Sequence, residues 1–262
     1  MSRPWSSILS GLLVFCLIPA VVAFGAEGAD AIKNYIKDSS KVEEPTPLPK
    51  PEAPPEPAPT PGPKLTDAKV KPGALVIILD ASGSMWGHVE NTPKIAIAKD
   101  VLAGLIQNLP DDVKVGLWAY GHRVKDKCDD VEALFDLGPI DKSALIEKVR
   151  ALNPKGMTPI TKTVQLAADS LKAVNEPAVM LLVSDGKETC KGDPCELVRN
   201  LRAGDARFVL HVIGFDVTDE EKQQLACMAD AGGGNYYTAD NADQFRMAAD
   251  ALVREMSAEP MK

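Results

Sequence analysis

The sequence predicts an α/β protein, a doubly wound three-layer sandwich whose central sheet is mostly parallel with one antiparallel edge strand. Three observations predict it. Apolar runs without alternation, Leu75 to Leu79 and Ala178 to Val183, read as central strands covered on both faces. Segments with helical spacing lie between such runs, so strand and helix alternate. Only ten residues, 121–130, separate the strand that ends at Tyr120 from the one that starts at Val131. That gap is too short for a crossover helix, so the later strand pairs antiparallel at an edge.

The chain of 262 residues allows one ordinary domain plus extensions, and its 21 prolines are unevenly spread. Residues 1–25 read as an export signal, with Arg3, an apolar run from Ile8 to Phe24, and Ala23 and Gly25 at the −3 and −1 positions of a cleavage site. The alternative is an uncleaved anchor, since the run approaches the ~20 residues that a membrane helix needs, although Ser10 and Pro19 weaken it. A membrane is a partner only in that second case. Phe15 precedes Cys16, which argues against lipid attachment there. Either way the remainder lies outside the cytoplasm, in the periplasm or cell envelope or secreted.

Residues 26–64 show no sustained apolar periodicity, and Pro45 to Pro63 carries a proline at about every second position. This reads as a disordered, semi-rigid spacer; a polyproline ligand for another domain is the alternative. The domain then runs over 65–258, with a tail at 259–262. After the first strand, Ile95, Ala98, Leu102, Leu105, Ile106 and Leu109 recur at helical spacing, and Pro110 follows. Strands are expected at Lys114 to Tyr120 and Val131 to Leu137, and helices at Asp141 to Asn153 and Thr161 to Val174. Next come strand 178–184, helix 194–203, strand 207–214 and helix 219–230 capped by Thr218. Strand Asn235 to Tyr237 and a helix from Asp243 to about Glu255 complete the chain.

The first strand ends in a chemical pattern. Asp80, Ser82 and Ser84 follow at spacing two, and Gly83 lets the loop curl so that one carboxylate and two hydroxyls converge. Oxygen ligands of this kind suit Mg²⁺ or Mn²⁺, with Ca²⁺ ranking below them. Alone, such a triplet is more often only turn hydrogen bonding in a strand-to-helix loop. Two further features single it out: Thr158, in Gly156-Met157-Thr158-Pro159 before a helix, and Asp185, at the end of the strand 178–184. In open α/β sheets these positions share the edge beyond the carboxyl ends of the strands, where ligands bind.

Asp80-x-Ser82-x-Ser84, then a loop threonine, then a strand-end aspartate resembles the metal-ion-dependent adhesion site of von Willebrand factor A domains. The resemblance covers about Lys69 to Ala258, and it implies strand order 3-2-1-4-5-6. It also implies that Ser82, Ser84 and Thr158 bind the ion directly, while Asp80 and Asp185 act mainly through waters. The open coordination position would take an aspartate or glutamate carboxylate from a protein partner. Tyr120-Gly121-His122-Arg123 and the stretch from Glu188 to Cys195 depart from the general pattern and resemble a subgroup of bacterial exported proteins of this family.

Behind the signal stand Cys128, Cys190, Cys195 and Cys227. Their even number in an oxidising compartment reads as two disulfides; a zinc pair at Cys190 and Cys195 is disfavoured by loose spacing and the lack of a nearby histidine. The implied strand order places Cys128 and Cys227 on opposite sides of the central strand. Each is therefore expected to pair with a member of the Cys190/Cys195 loop, which of the two being open.

Three residues are candidates for a partner-binding rim. Trp86 is either an exposed aromatic anchor or a cover for the core edge. His122 and Arg123 either steer an acidic ligand or form a solvated turn. A net charge of −8 without a basic run excludes a nucleic-acid partner. The glycine-rich Ala231 to Gly234 lacks the lysine of a phosphate loop and reads as a turn before the last strand. The expected function is a non-enzymatic, metal-dependent protein-binding module. A Mg²⁺-dependent hydrolase with His122 as general base is the alternative, weakened by the lack of a nucleophile with a paired base. A scaffold that has lost its ion is a third reading, against which all five site residues stand.

Overall fold

The computed structural model describes residues 71–204 and 207–258. The export signal, the proline-rich spacer and the tail expected from the sequence lie outside the described residues.

Strand β1 (Ala74–Asp80) is buried along its whole length. It sits between β2 (Lys114–Tyr120) and β4 (Ala178–Ser184), parallel to both, with Asp80 opposite Tyr120 and Leu79 opposite Val183. β5 (Phe208–Phe215) pairs parallel with β4, and β6 (Gly233–Ala239) parallel with β5. β3 (Val131–Pro139) pairs antiparallel with β2 at the other edge. The sheet order is therefore 3-2-1-4-5-6, as the family resemblance implied, with one antiparallel edge strand as the short 121–130 connection required.

Alternate residues of β1 face opposite sides of the sheet. Leu75, Ile77 and Leu79 pack with Ile95, Leu102 and Ile106 of α1 (Lys94–Asn108), Leu145 of α2 (Lys142–Ala151) and Phe245 and Leu252 of α6 (Ala242–Ser257). Val76 and Ile78 pack on the other side with Val164 of α3 (Ile160–Leu171), Val198 of α4 (Pro194–Ala203) and Leu225 of α5 (Asp219–Ala231). Each such aliphatic side chain contributes about 1.5–3 kcal/mol when fully buried, so β1, covered on both sides, is where the two cores meet.

Helix starts follow local chemistry. Asp193 accepts a hydrogen bond from the Glu196 N–H with Pro194 in the first turn, and Thr218 with Glu221 forms a reciprocal capping box. The last strand is longer than its apolar core suggested, because Gly233 and Gly234 belong to it. A Cβ at Gly234 would collide with the Leu210 carbonyl oxygen, so glycine here permits close approach of β5 and β6. Two small elements were not anticipated: a 3₁₀ turn, Gly83–Trp86, and a hairpin pairing His88–Val89 with Thr92–Pro93. The hairpin turns through Glu90 and Asn91, both at positive φ (48° and 69°), the conformation that a tight two-residue turn demands.

The disulfides are Cys128–Cys190 and Cys195–Cys227, with Cα separations of 5.6 and 5.7 Å. Each partner of the 190/195 loop is thus taken by one of the two distant cysteines, and the open choice is settled. The first bond ties the loop after β2 to the loop after β4; the second ties α4 to α5. With all four thiols consumed, denatured but unreduced protein should label at Cys16 alone, and at no cysteine once residues 1–25 are removed. Mass spectrometry after alkylation checks this, and label at Cys190 or Cys195 would contradict it.

Candidate metal centre

The three loops that leave β1, β4 and the segment before α3 converge at one edge of the sheet. Asp80 anchors them. Its carboxylate is fully buried, with Oδ1 accepting the Ser82 N–H at 2.8 Å and Oδ2 accepting the Tyr120 hydroxyl at 2.8 Å and the Ser184 hydroxyl at 2.6 Å. The ends of β1, β2 and β4 are thereby joined through one side chain.

From this anchor the backbone turns so that the hydroxyls of Ser82 and Ser84 lie 2.9 Å apart, and Ser84 donates to Asp185 Oδ1 at 2.6 Å. Thr158 arrives on a loop laid along the first. Ser82 and Gly156 form a parallel bridge, the Gly83 N–H donates to the Gly156 carbonyl, and Lys155 donates to Ala81. On its far side Thr158 exchanges two hydrogen bonds with Thr189, and its residue is 5% exposed. Gly121 makes the close packing possible. It sits at φ +70°, and a Cβ there would lie 2.5 Å from the Met157 carbonyl oxygen and 2.8 Å from Ser82 Cα.

The structure thus brings Asp80, Ser82, Ser84 and Asp185 into one hydrogen-bonded group, with the Thr158 loop against it. Asp185 Oδ2 is buried and accepts no hydrogen bond, its nearest cation being Lys94 Nζ at 3.3 Å. A buried carboxylate oxygen without a hydrogen bond, beside the Ser82 and Ser84 hydroxyls and the loop that carries Thr158, offers an all-oxygen donor set with little charge, which fits a hard divalent cation. Among the described residues no group of three or more His, Cys, Asp or Glu side chains is disposed to hold a metal, so hydroxyls are needed for one here.

Burial pushes the Asp80 carboxyl up, against the hydrogen bonds from Ser184, Ser82 and Tyr120 that lower it. Burial likewise raises Asp185, with the nearby Asp80 charge adding to it, from 3.8 to about 7, despite Ser84 and Lys94. For Lys94, burial disfavours the ammonium, yet Asp216 and Asp185 raise its pKa on balance. Its Nζ lies 2.9 Å from Asp216 Oδ2 and 3.0 Å from the Asp216 carbonyl oxygen, so one buried cation bridges the ends of β4 and β5.

Tyr120, Ser184 and Lys94 were not singled out from the sequence. Lys94 did leave a signal: a lysine opening a helix opposes the helix dipole, which implies acidic partners elsewhere. Tyr120 and Ser184 become meaningful only when β2 and β4 are known to flank β1.

Of the rim candidates, Trp86 is 51% exposed, with its indole N–H donating to the Pro154 carbonyl at 2.9 Å. The ring is pinned on the surface and does not cover the core edge. His122 and Arg123 are engaged with the edge strand. His122 Nε2 lies 2.9 Å from Glu132 Oε2, and Arg123 Nε donates to the buried Asp130 at 2.7 Å. Asp130 also accepts the N–H groups of Arg123 and Val124, so these contacts shape the 121–131 loop.

The family model of the von Willebrand factor type A domain matches residues 74–251. The chain belongs to this family. The domain is similar to YwmD of Bacillus subtilis strain 168, a protein named as uncharacterized, at 31% identity over 183 residues, 66% of this chain and 82% of that one. Among solved structures it is similar to the pilus adhesin SpaC of Lactobacillus rhamnosus GG, with TM-score 0.59, 16% identity, and 71% of this chain against 31% of that one. It is also similar to proximal thread matrix protein 1 of the mussel byssus, solved with a zinc-occupied MIDAS motif, at TM-score 0.53 and 16% identity. That match covers 71% of this chain and 46% of the mussel chain. Both structural likenesses show the fold, and in both the chain spans less than half of the solved protein.

The raised Asp185 pKa has a direct consequence for stability without metal. A carboxyl whose folded pKa exceeds its unfolded value contributes nothing unfavourable below pH ~4, loses stability as pH rises toward 7, and levels off above. In EDTA, the Asp185→Asn variant should therefore gain on the wild type as pH rises from about 4 to 8, by on the order of 4 kcal/mol at most. Urea denaturation at both pH values measures it, and a gap that does not change with pH would contradict the assignment.

Proposed function

We propose that this centre is a complete metal-ion-dependent adhesion site and that the domain is a non-enzymatic, extracytoplasmic protein-binding module. Ser82, Ser84 and Thr158 would hold one divalent ion directly, with Asp80 and Asp185 holding those hydroxyls and the ion's waters in place. When bound, the ion supplies an electrophile with a position open to a partner's Asp or Glu carboxylate. The observation that carries this reading is the buried Asp185 carboxylate, with Oδ1 on the Ser84 hydroxyl and Oδ2 held by no hydrogen bond and only the Lys94 ion pair, beside the paired Ser82 and Ser84 hydroxyls. Mg²⁺ or Mn²⁺ suits an all-oxygen set; the zinc-occupied motif of the mussel protein supports a divalent ion on this fold.

The pilus adhesin among the structural neighbours supports a role in protein capture. Two disulfides support an oxidising compartment. Residues 1–25 would direct export, and the proline-rich 26–64 would hold the domain away from its point of attachment. The hydrolase alternative draws no support from His122: its Nε2 is paired with Glu132 and its Nδ1 is buried without a hydrogen-bond partner, so neither ring nitrogen is open to a substrate.

Calorimetry on the purified protein should show uptake of one Mg²⁺ or Mn²⁺ and a higher melting temperature, by about 2.7 kcal/mol of stabilisation at a hundredfold excess over Kd. Thr158→Ala should abolish that uptake while costing about 1 kcal/mol without metal, since the backbone of Thr158, and not its hydroxyl, bonds Thr189. Undiminished Mg²⁺ uptake by folded Thr158→Ala protein would place the ion elsewhere.

A further inference from the structure

Among the described residues three large apolar side chains are exposed: Trp86, Val124 and Met247, at 51%, 48% and 62%. Met247 stands apart on α6. The other two flank one loop, the stretch 154–157 that delivers Thr158. Trp86 belongs to the 3₁₀ turn that carries Ser84, and its indole is bonded to Pro154. Val124 meets the same loop at Gly156, its carbonyl so close that no Cβ fits between them.

Single exposed apolar residues are ordinary on protein surfaces. These two are held in place, which is a different matter. The Val124 N–H donates to Asp130 at 2.9 Å, and Asp130 is 2% exposed. The loop that carries Val124 is closed at Cys128 by the bond to Cys190. Neither side chain can fold back onto the core without breaking these contacts, so both stay presented to solvent. Rigid, pre-placed aromatic and aliphatic side chains are what interface anchors require.

Charge adds a third element. Lys155 lies between the two flanks, its N–H fixed to the carbonyls of Ala81 and Gly121, and its side chain is exposed with no ion pair among the described residues. Lys125 and Lys127 likewise form no ion pair among the described residues, but they alternate in sequence with Asp126 and Asp129. A chain of net charge −8 thus presents an uncompensated cation beside the proposed metal position.

We infer that this rim is the docking surface for an acidic segment of a partner protein, in which one aspartate or glutamate is flanked on both sides by apolar residues. This rests on the metal reading above and specifies the partner it admits. The carboxylate goes to the ion, one apolar neighbour to Trp86 and the other to Val124, and Lys155 attracts the segment's negative charge. Trp86 meets the loop at Pro154 and Val124 meets it at Gly156, so the segment is taken as extended, rising ~3.3 Å per residue, with apolar residues on both sides of the carboxylate.

Three synthetic heptapeptides test this on the full-length protein in Mg²⁺ buffer: a central aspartate among leucines, a central aspartate among serines, and a central asparagine among leucines. The leucine-flanked aspartate peptide should bind about tenfold more tightly than the serine-flanked one, and the asparagine peptide should not bind measurably. Trp86→Ala and Val124→Ser should each erase most of that preference; Val124→Ser, which leaves the Trp86–Pro154 hydrogen bond in place, should do so with Mg²⁺ uptake by calorimetry unchanged. Lys155→Glu should weaken both aspartate peptides, more at low salt than at high salt. Equal binding of the leucine and serine peptides, or a preference that survives both rim substitutions, overturns the inference. A preference that depends on Trp86 and Val124 but persists in EDTA supports the rim and overturns the metal reading instead, so the two can fail separately.

Discussion

The carboxylate of Asp80 is the constraint on which the site depends. It accepts hydrogen bonds from the Tyr120 and Ser184 hydroxyls and from the Ser82 N–H, and so joins the ends of three adjacent strands. Taking a carboxylate out of water is costly unless its lone pairs are matched, and here three donors match them. The same contacts fix where the chain leaves β1, and therefore where the hydroxyls of Ser82 and Ser84 can stand. Fold and site share this one group, since β1 also carries side chains into both hydrophobic cores.

Around that anchor the loops hold one another rather than relying on burial. The Thr158 loop bonds to residues 81, 83 and 121 on one side and to Thr189 on the other, while Cys128–Cys190 closes the outer ring. Surface loops are ordinarily the most mobile parts of a domain. These are cross-linked by backbone hydrogen bonds and by one covalent bond, which keeps the hydroxyls and carboxylates of the site close together. Lys94 completes the arrangement by placing an ammonium beside the Asp185 oxygen that has no hydrogen bond. Through Asp216 it extends the connected edge from β4 to β5.

Much of this was legible in the sequence because its signals are local. Uninterrupted apolar runs gave the central strands, and the ten-residue gap before Val131 gave the antiparallel edge. The spacing of Asp80, Ser82 and Ser84, with Thr158 and Asp185 downstream, named the candidate site residues through the family pattern. The roles of Tyr120, Ser184 and Lys94 were not legible, because each depends on a neighbour 40 or more residues away: Tyr120 and Ser184 reach Asp80, and Lys94 reaches Asp185 and Asp216. His122 and Arg123 show the same limit from the other side. Their types suggested ligand steering; the structure adds partners that the sequence did not show, Glu132 for His122 and Asp130 for Arg123, whose side chain stays 45% exposed.

By itself, then, the sequence determined the alternation of strands and helices, the buried central strand, the pairing possibilities of four cysteines and the set of oxygen-bearing residues. Periodicity and spacing are properties of neighbouring residues, and they survive without knowledge of the fold. The tertiary structure alone decided which cysteine meets which, that Asp80 is the hub of the site, that one Asp185 oxygen has the Lys94 ammonium beside it and no hydrogen bond, and that Trp86 and Val124 meet one loop. Each of these is a contact between distant segments. Such contacts are set by strand order and loop packing, which no single stretch of chain encodes.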